Sequence, residues 1–254
     1  MTTDALRKAL SVNNSLFAVL LDILQESKEK METHFQQELN DLKERLLRMA
    51  GLTEQAIAHA VDALVKRDSP LAEKTILEDK AINEMELEVD DLCLKLLALH
   101  QPMATDLRFI TSAMRINIEL ERIGDLAVNI AERAVSLNHE PKLKPYIDLP
   151  RMAEITKIMV KDVLDSFVRG DADLARAVCK RDDQVDDLND QVFRELLSYM
   201  LADPQTITRA VHLIIVSKYL ERIADHATNI AEGVIFMVNA RVTKHHAYAK
   251  AENM

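Results

Sequence analysis

Apolar and polar positions follow a helical period along most of the chain. Phe35, Leu39, Leu42, Leu46, Met49, Ile57 and Leu64 recur at three- and four-residue steps and their sums, as do Ile82, Met85, Val89, Leu92, Leu96 and Leu99. A third stripe, Ile116, Leu120, Ile123, Ala127 and Ile130, belongs to a segment running from about Met103 to Leu137. This spacing puts the apolar side chains on one face of a helix and leaves the other face to charge. Pro70, Pro102, the cluster Pro141, Pro145 and Pro150, and Pro204 interrupt the pattern. Proline is tolerated only in the first turn of a helix or outside it, so these positions separate about six helical pieces.

The pieces form two sets of three. Leu120 to Glu132 reads LERIGDLAVNIAE and Leu220 to Glu232 reads LERIADHATNIAE, with ten of thirteen positions identical at an offset of one hundred. Asp62, Val65, Asp68, Leu71, Ala72 and Asp79 return as Asp165, Val168, Asp171, Leu174, Ala175 and Asp182, at an offset of 103. Ile82, Met85 and Val89 map in that register onto Val185, Leu188 and Val192, so a turn near Pro204 must be shorter in the second copy. The fold expected is all-α: a tandem duplication of three-helix bundles whose short connections make neighbouring helices antiparallel. Within it, residues 1–30 form an N-terminal extension of no assigned role, and 31–138 the first bundle. Residues 139–150 are a linker, 151–240 the second bundle and 241–254 a C-terminal tail.

Composition agrees with helix and narrows the function. With four Gly and six Pro in 254 residues, glycine-rich phosphate loops and sandwich folds are disfavoured. A net charge of −10 argues against sequence-independent nucleic-acid binding, which rests on cations neutralising phosphates, and against adhesion to anionic lipid. Cys93 and Cys179 show no CxxC pairing and read as small core residues of a reducing cytosol. The apolar run Leu16 to Leu24 is interrupted by Asp22 and reads as neither signal peptide nor membrane span.

The candidate chemistry is acidic. Beside the core stripe of the third helix, Glu121, Asp125, Asn129 and Glu132 share a flank, and Glu221, Asp225, Asn229 and Glu232 repeat it. Asp79, Asn83, Glu86 and Asp90 share a flank of the second helix, with Asp182, Asp186 and Asn189 as counterparts. Two such flanks on helices about 8–10 Å apart form the oxygen-rich cluster that hard or borderline cations require. Stacked like charges cost a few tenths of a kcal/mol per pair, and a divalent ion would remove that repulsion. The alternative is a solvated acidic face in which Arg122 and Arg222 reach Asp125 and Asp225 at i,i+3. No Glu-x-x-His, HExxH, GxSxG or phosphate-binding loop occurs, so no catalytic set is assigned. His226 reads as a surface or salt-bridged residue.

Five segments in order carry a resemblance to a known family. They are Met31 to Leu39, Gln101 to Arg108, Leu120 to Asp125, Tyr199 to Pro204 and Leu220 to Glu232, and together they resemble the PhoU family of bacterial phosphate-signalling regulators. The resemblance implies two three-helix bundles related by pseudo-twofold symmetry, with metal held by paired E(D)xxxD motifs. These fall on Glu121 with Asp125, on Glu221 with Asp225, and on Asp182 with Asp186. The first-copy counterpart of the last pair is Asp79 with Asn83, one carboxylate short, with Glu86 as a substitute. Gly124 and Ala224 are expected to exchange harmlessly. All-oxygen sites accept Fe, Zn, Mn or Mg according to supply.

The family role implied is a non-enzymatic, metal-binding adaptor between the ATPase subunit of a phosphate ABC transporter and a sensor histidine kinase. It would restrain phosphate-starvation genes from the cytoplasm, held at the membrane by its partners, with a homodimer left open. The alternatives are a metal-dependent hydrolase and a regulator of a different phosphate transporter.

Overall fold

The local signals at the ends of helices determine where each helix starts and stops. In the computed structural model, which describes the backbone of residues 3–239 and side chains of 34–239, the elements are α1 (Thr3–Lys66), α2 (Ser69–His100) and α3 (Ala104–Asn138). They are followed by α4 (Asp148–Arg169), α5 (Ala172–Ala202), a 3₁₀ turn (Pro204–Thr206) and α6 (Ile207–Asn239). Asp68 caps α2, its side chain accepting from the Leu71 N–H at 3.0 Å, and Pro70 sits in the first turn. Asp171, its counterpart in the second copy, caps α5 by accepting from Asp173 and Leu174. The residues before these caps, Arg67 and Gly170, both adopt left-handed backbone, at φ 59° and 65°. Glycine does so without strain, whereas Arg67 does so while its guanidinium donates to the carbonyls of Asn138 and Glu140 at 2.6 and 2.7 Å. That contact ties the first hairpin to the end of α3.

The first helix runs unbroken from Thr3 to Lys66 and so spans most of the expected N-terminal extension. The expected tail over 241–254 lies outside the described residues. By contact the chain divides into two compact units, Met1–Asp41 and Leu42–Met254. In the first, His34 and Glu38 are 3.4 Å apart at i,i+4. The second contains everything described below.

In that second unit the two copies can be compared contact by contact. The α1/α2 hairpin is crossed by Arg45 with Glu88 at 2.6 Å and by His59 with Glu78 at 3.8 Å. At the corresponding places the α4/α5 hairpin has Gln191 donating to Asp148 at 3.4 Å and Arg181 paired with Asp162 at 2.6 Å. The crossing points are retained while their chemistry has changed, the second pair with the nitrogen-bearing and acidic side chains exchanged between helices. Buried Thr53 and Thr156, also counterparts, each return a hydroxyl hydrogen bond to the carbonyl three residues earlier. The linker is pinned as well: the buried Lys144 pairs with Glu195 on α5, and Arg209 on α6 donates to the Pro141 carbonyl at 3.0 Å.

The expected stripes form the core, but at the end of the second Leu92 is half-buried and Leu99 is exposed. Leu42, Leu46, Met49, Ile57 and Leu64 from α1, Ile82, Val89 and Leu96 from α2, and Ile116, Leu120, Ile123 and Ile130 from α3 are buried. The second copy supplies Met159, Val163 and Phe167 from α4, Val185, Val192 and Leu196 from α5, and Leu213, Leu220, Ile223 and Ile230 from α6. Helix α3 packs on α2 and α6 on both α4 and α5, while α3 and α6 pack on each other and join the copies. Cys93 is buried and Cys179 half-buried; burial first, then nearby carboxylates, pushes their thiols up to about 12 and about 11, so both stay protonated at neutral pH.

Candidate metal centre

The repeated LERI segments place their acids against the neighbouring hairpin helix. Because Ile123 and Leu120 are core residues, Glu121 and Asp125 stand one turn apart on the edge of α3 that faces α2. Across from them lie Asp79 and Glu86. Burial, then Asp125, Glu86 and Asp79 in that order, raises the Glu121 carboxyl above its ordinary value, with Arg122 opposing. Asp79 is raised by burial and by Asp125, against a hydrogen bond donated by Asn83 Nδ2 to Asp79 Oδ2 at 2.9 Å. Its other oxygen, Oδ1, is buried and accepts no hydrogen bond. A buried carboxylate oxygen without a donor is costly in the metal-free molecule and suits a cation ligand.

The second copy repeats the arrangement on α5 and α6. Burial raises the Asp186 carboxyl, and Glu221, Asp225 and Asp183 raise it further, with Lys218 opposing. Lys218 is ion-paired with Glu221. Asp182, at the position of Asp79, is buried. The two sites thus relieve their repulsion differently: the first by Asn83 in place of a carboxylate, the second by Lys218, where the first copy has Ile118. Between α2 and α3, Asn117 Nδ2 donates to the Glu86 carbonyl at 2.8 Å, and between α5 and α6 Ser217 donates to Asn189 Oδ1 at 2.8 Å. These buried clasps set the spacing of the helices that carry the acids.

Six of the seven expected ligands therefore fall into two matching groups, Asp79, Glu121 and Asp125, and Asp186, Glu221 and Asp225, with Asp182 buried one turn before Asp186 on α5. Among the described residues, no three of these acids bring oxygens within 4.8 Å of one another. Ligand oxygens around one ion lie closer than that, so binding requires inward rotation of the exposed side chains.

Two expectations are corrected. Arg122 does not reach Asp125; its guanidinium lies 3.2 Å from Glu119, which points to the other side of α3. Gly124 is not freely exchangeable with alanine. A Cβ there would lie 3.0 Å from Ile82 Cδ1 and 3.2 Å from Asp79 Oδ1. The second copy has Ala224 opposite Val185, so one methylene has moved across the contact. Gly124→Ala alone is expected to lose about 1–3 kcal/mol to overpacking against about 1 kcal/mol gained in helix propensity. Adding Ile82→Val is expected to recover the loss, giving a coupling of at least about 0.5 kcal/mol in a urea-unfolding double-mutant cycle. Additive effects would show that the two positions are not in contact.

The family model described as "PhoU domain" matches twice, over residues 46–134 and 149–234. The chain belongs to the PhoU family. It is 45% identical over 216 residues to the "phosphate-specific transport system accessory protein PhoU homolog" of Aquifex aeolicus, covering 85% of this chain and 98% of the relative. The homolog of the same name from Pseudomonas putida is 41% identical, covering 86% and 88%. Among solved structures, PhoU from Pseudomonas aeruginosa superposes with a TM-score of 0.78 at 42% identity, covering 82% of this chain and all of that one. The phosphate transport system regulatory protein PhoU from Streptococcus pneumoniae gives 0.77 at 28% identity, covering 83% and 99%. The two matches of the PhoU model bracket the two acid groups, one group per copy.

His226, expected at the surface or in a salt bridge, is paired with Glu119, a residue given no role from the sequence. His226 Nδ1 donates to Glu119 Oε2 at 2.6 Å, and Asn229 Nδ2 reaches the same oxygen at 3.1 Å, joining α3 to α6. Burial alone would raise the Glu119 carboxyl, but the His226 and Asn229 hydrogen bonds and the His226 and Arg122 charges hold it below its ordinary value. A signal was present: Glu119 faces Tyr219, and His226 faces Leu126, in the alignment of the copies.

Proposed function

We propose that this protein regulates phosphate uptake as an adaptor, engaging the ATPase subunit of a phosphate ABC transporter and a sensor histidine kinase. The observation that carries the reading is the likeness of both copies, over most of the chain, to proteins named as accessory and regulatory components of phosphate transport. Such a role calls for binding surfaces rather than for turnover. Among the described residues no helix is long and apolar enough to cross a membrane, so contact with a transporter would run through its partner subunits.

The acid groups would hold metal ions, with Asp79, Glu86, Glu121 and Asp125 as ligands in the first copy and Asp182, Asp186, Glu221 and Asp225 in the second. The unpartnered Asp79 Oδ1 and the mutual repulsion that raises Glu121 and Asp186 support this assignment. A bound cation supplies charge neutralisation between two helices, stiffening the face offered to a partner.

The test is affinity purification from cells grown with and without phosphate, using wild type and the Glu121→Gln, Asp125→Asn variant, beside a deletion strain. Transporter ATPase and kinase are expected to co-purify with wild type and to be depleted in the variant. In rich phosphate the deletion is expected to express phosphate-uptake genes at the starved level. Normal repression in the deletion strain would overturn the regulatory role.

A further inference from the structure

The two faces of the α3/α6 seam are not alike. With the copies aligned at an offset of one hundred, Ser112, Arg115, Glu119 and Gly233 correspond to His212, Ile215, Tyr219 and Arg133. On the face that carries the first set, a cleft of about 610 Å³ opens between α3 and α6, with Ser112, Arg115, Ile118, Asn229, Gly233 and Phe236 in its lining. On the other face the position of Gly233 is held by Arg133. Its Nε is buried there without a hydrogen-bond acceptor, and it lies against His212, whose imidazole is held below its ordinary range first by burial and then by the Arg133 charge. Gly233 thus presents no side chain to the cleft at the position where the other face has Arg133. A Cβ on it would meet nothing within 4 Å, so neither packing nor backbone conformation demands glycine at this point of the helix.

The charges in the cleft sort into committed and uncommitted groups. Glu119 is held by His226, Asn229 and Arg122. Glu232 also lines the cleft; its charge raises the Cys179 thiol of α5, and it makes no hydrogen bond or ion pair among the described residues. Arg115 is exposed and makes no ion pair among the described residues, while Ser112 is only 3% exposed and its hydroxyl has no hydrogen-bond partner among them. The two lie three residues apart on one face of α3, a planar guanidinium fork beside a hydroxyl. Three donors without acceptors call for an oxyanion, and a phosphate offers three oxygens where a carboxylate offers two. Beside them Ile118 and Phe236 present apolar surface, and a volume of about 610 Å³ falls in the range of sites for organic molecules rather than bare ions.

We propose that this cleft binds an organic phosphate, a phosphate monoester seated on Arg115 and Ser112 with an apolar or planar body against Ile118 and Phe236. The site is distinct from the acid groups, since neither Asp79, Glu121 and Asp125 nor their second-copy counterparts line it. It stands whether or not those groups hold metal.

The test is isothermal titration calorimetry of the purified full-length protein in phosphate-free buffer, with phenyl phosphate, adenosine 5′-monophosphate, inorganic phosphate and benzoate. The variants are Arg115→Ile and Gly233→Arg, each introducing the residue that the opposite face carries. At least one of the two monoesters is expected to saturate the protein, with inorganic phosphate and benzoate weaker by about tenfold or more. Both variants are expected to weaken the monoester by about tenfold or more with an unchanged circular dichroism spectrum. Glu121→Gln with Asp125→Asn is expected to leave it unchanged, which separates this site from the metal reading. No saturable heat with either monoester would overturn the proposal, as would equal binding by both cleft variants. Inorganic phosphate as tight as the monoesters would remove the organic body, and tighter benzoate would remove the phosphate.

Discussion

Phe167→Ala is expected to lower the unfolding free energy by about 3–5 kcal/mol, a large part of the roughly 5–15 kcal/mol that holds a domain folded. Phe167 is 1% exposed on α4, and its ring stacks on Phe109 of α3 with centroids 4.8 Å apart and planes 14° from parallel. Lys43 of α1 lies over the Phe109 ring, 5.2 Å from its centre. One ring thus meets a helix of the other copy, so its removal opens a cavity at the junction as well as forfeiting about 0.5–1.5 kcal/mol of aromatic contact. The corresponding position of the first copy is Leu64, also buried, so Phe167→Leu is expected to lose much less. Urea unfolding followed by circular dichroism measures both: the midpoint should fall with the slope unchanged. A loss below about 1 kcal/mol for the alanine variant would mean that the copies are held together elsewhere.

Manganese added to chelator-treated protein is expected to stabilise it by about 2.7 kcal/mol per occupied site at a hundredfold excess over the dissociation constant. Glu121→Gln with Asp125→Asn should remove the first copy's share and leave the second. The pH dependence follows from the direction of the carboxyl shifts. Asp79, Glu121 and Asp186 are raised above their ordinary values of 3.8, 4.5 and 3.8, burial being the largest cause in each. Their folded forms hold protons more tightly than the unfolded chain does. Their contribution is therefore fully present below the ordinary carboxyl range and is lost as pH rises through the folded values. Because these side chains are partly exposed, each term is expected to stay below about 1 kcal/mol. Glu119 runs the other way, its stabilisation present at neutral pH and lost as acid protonates it below 4.5. Metal needs the ionised acids, so the manganese shift should grow between about pH 5 and pH 7. A thermal shift that is absent, or the same in the double variant, would remove the metal assignment.

Much of this site was legible in the chain because two signals are local. Helical period set which edge of α3 carries Glu121 and Asp125, and the internal repeat gave their counterparts without reference to any other protein. The caps were equally local, since Asp68 and Asp171 act on backbone N–H groups two and three residues away. Contacts between helices were less legible. Gly124 read as neutral because helix propensity takes no account of Ile82 and Asp79 on the next helix. Arg122 read as a partner of Asp125 because i,i+3 spacing permits that pair and the Glu119 pair equally, and only the surroundings of Glu119 decide between them.

By itself the sequence determined that this protein is a duplicated set of helices with matched acidic edges, because periodicity and repetition are properties of one chain read along its length. Only the tertiary structure decided how far apart those edges sit, which carboxylate oxygen is buried without a donor, and that one face of the α3/α6 seam opens into a cleft while the other carries the half-buried Arg133. Those are distances between side chains on different helices, set by packing of bulky against small residues, and no pattern along a single helix contains them.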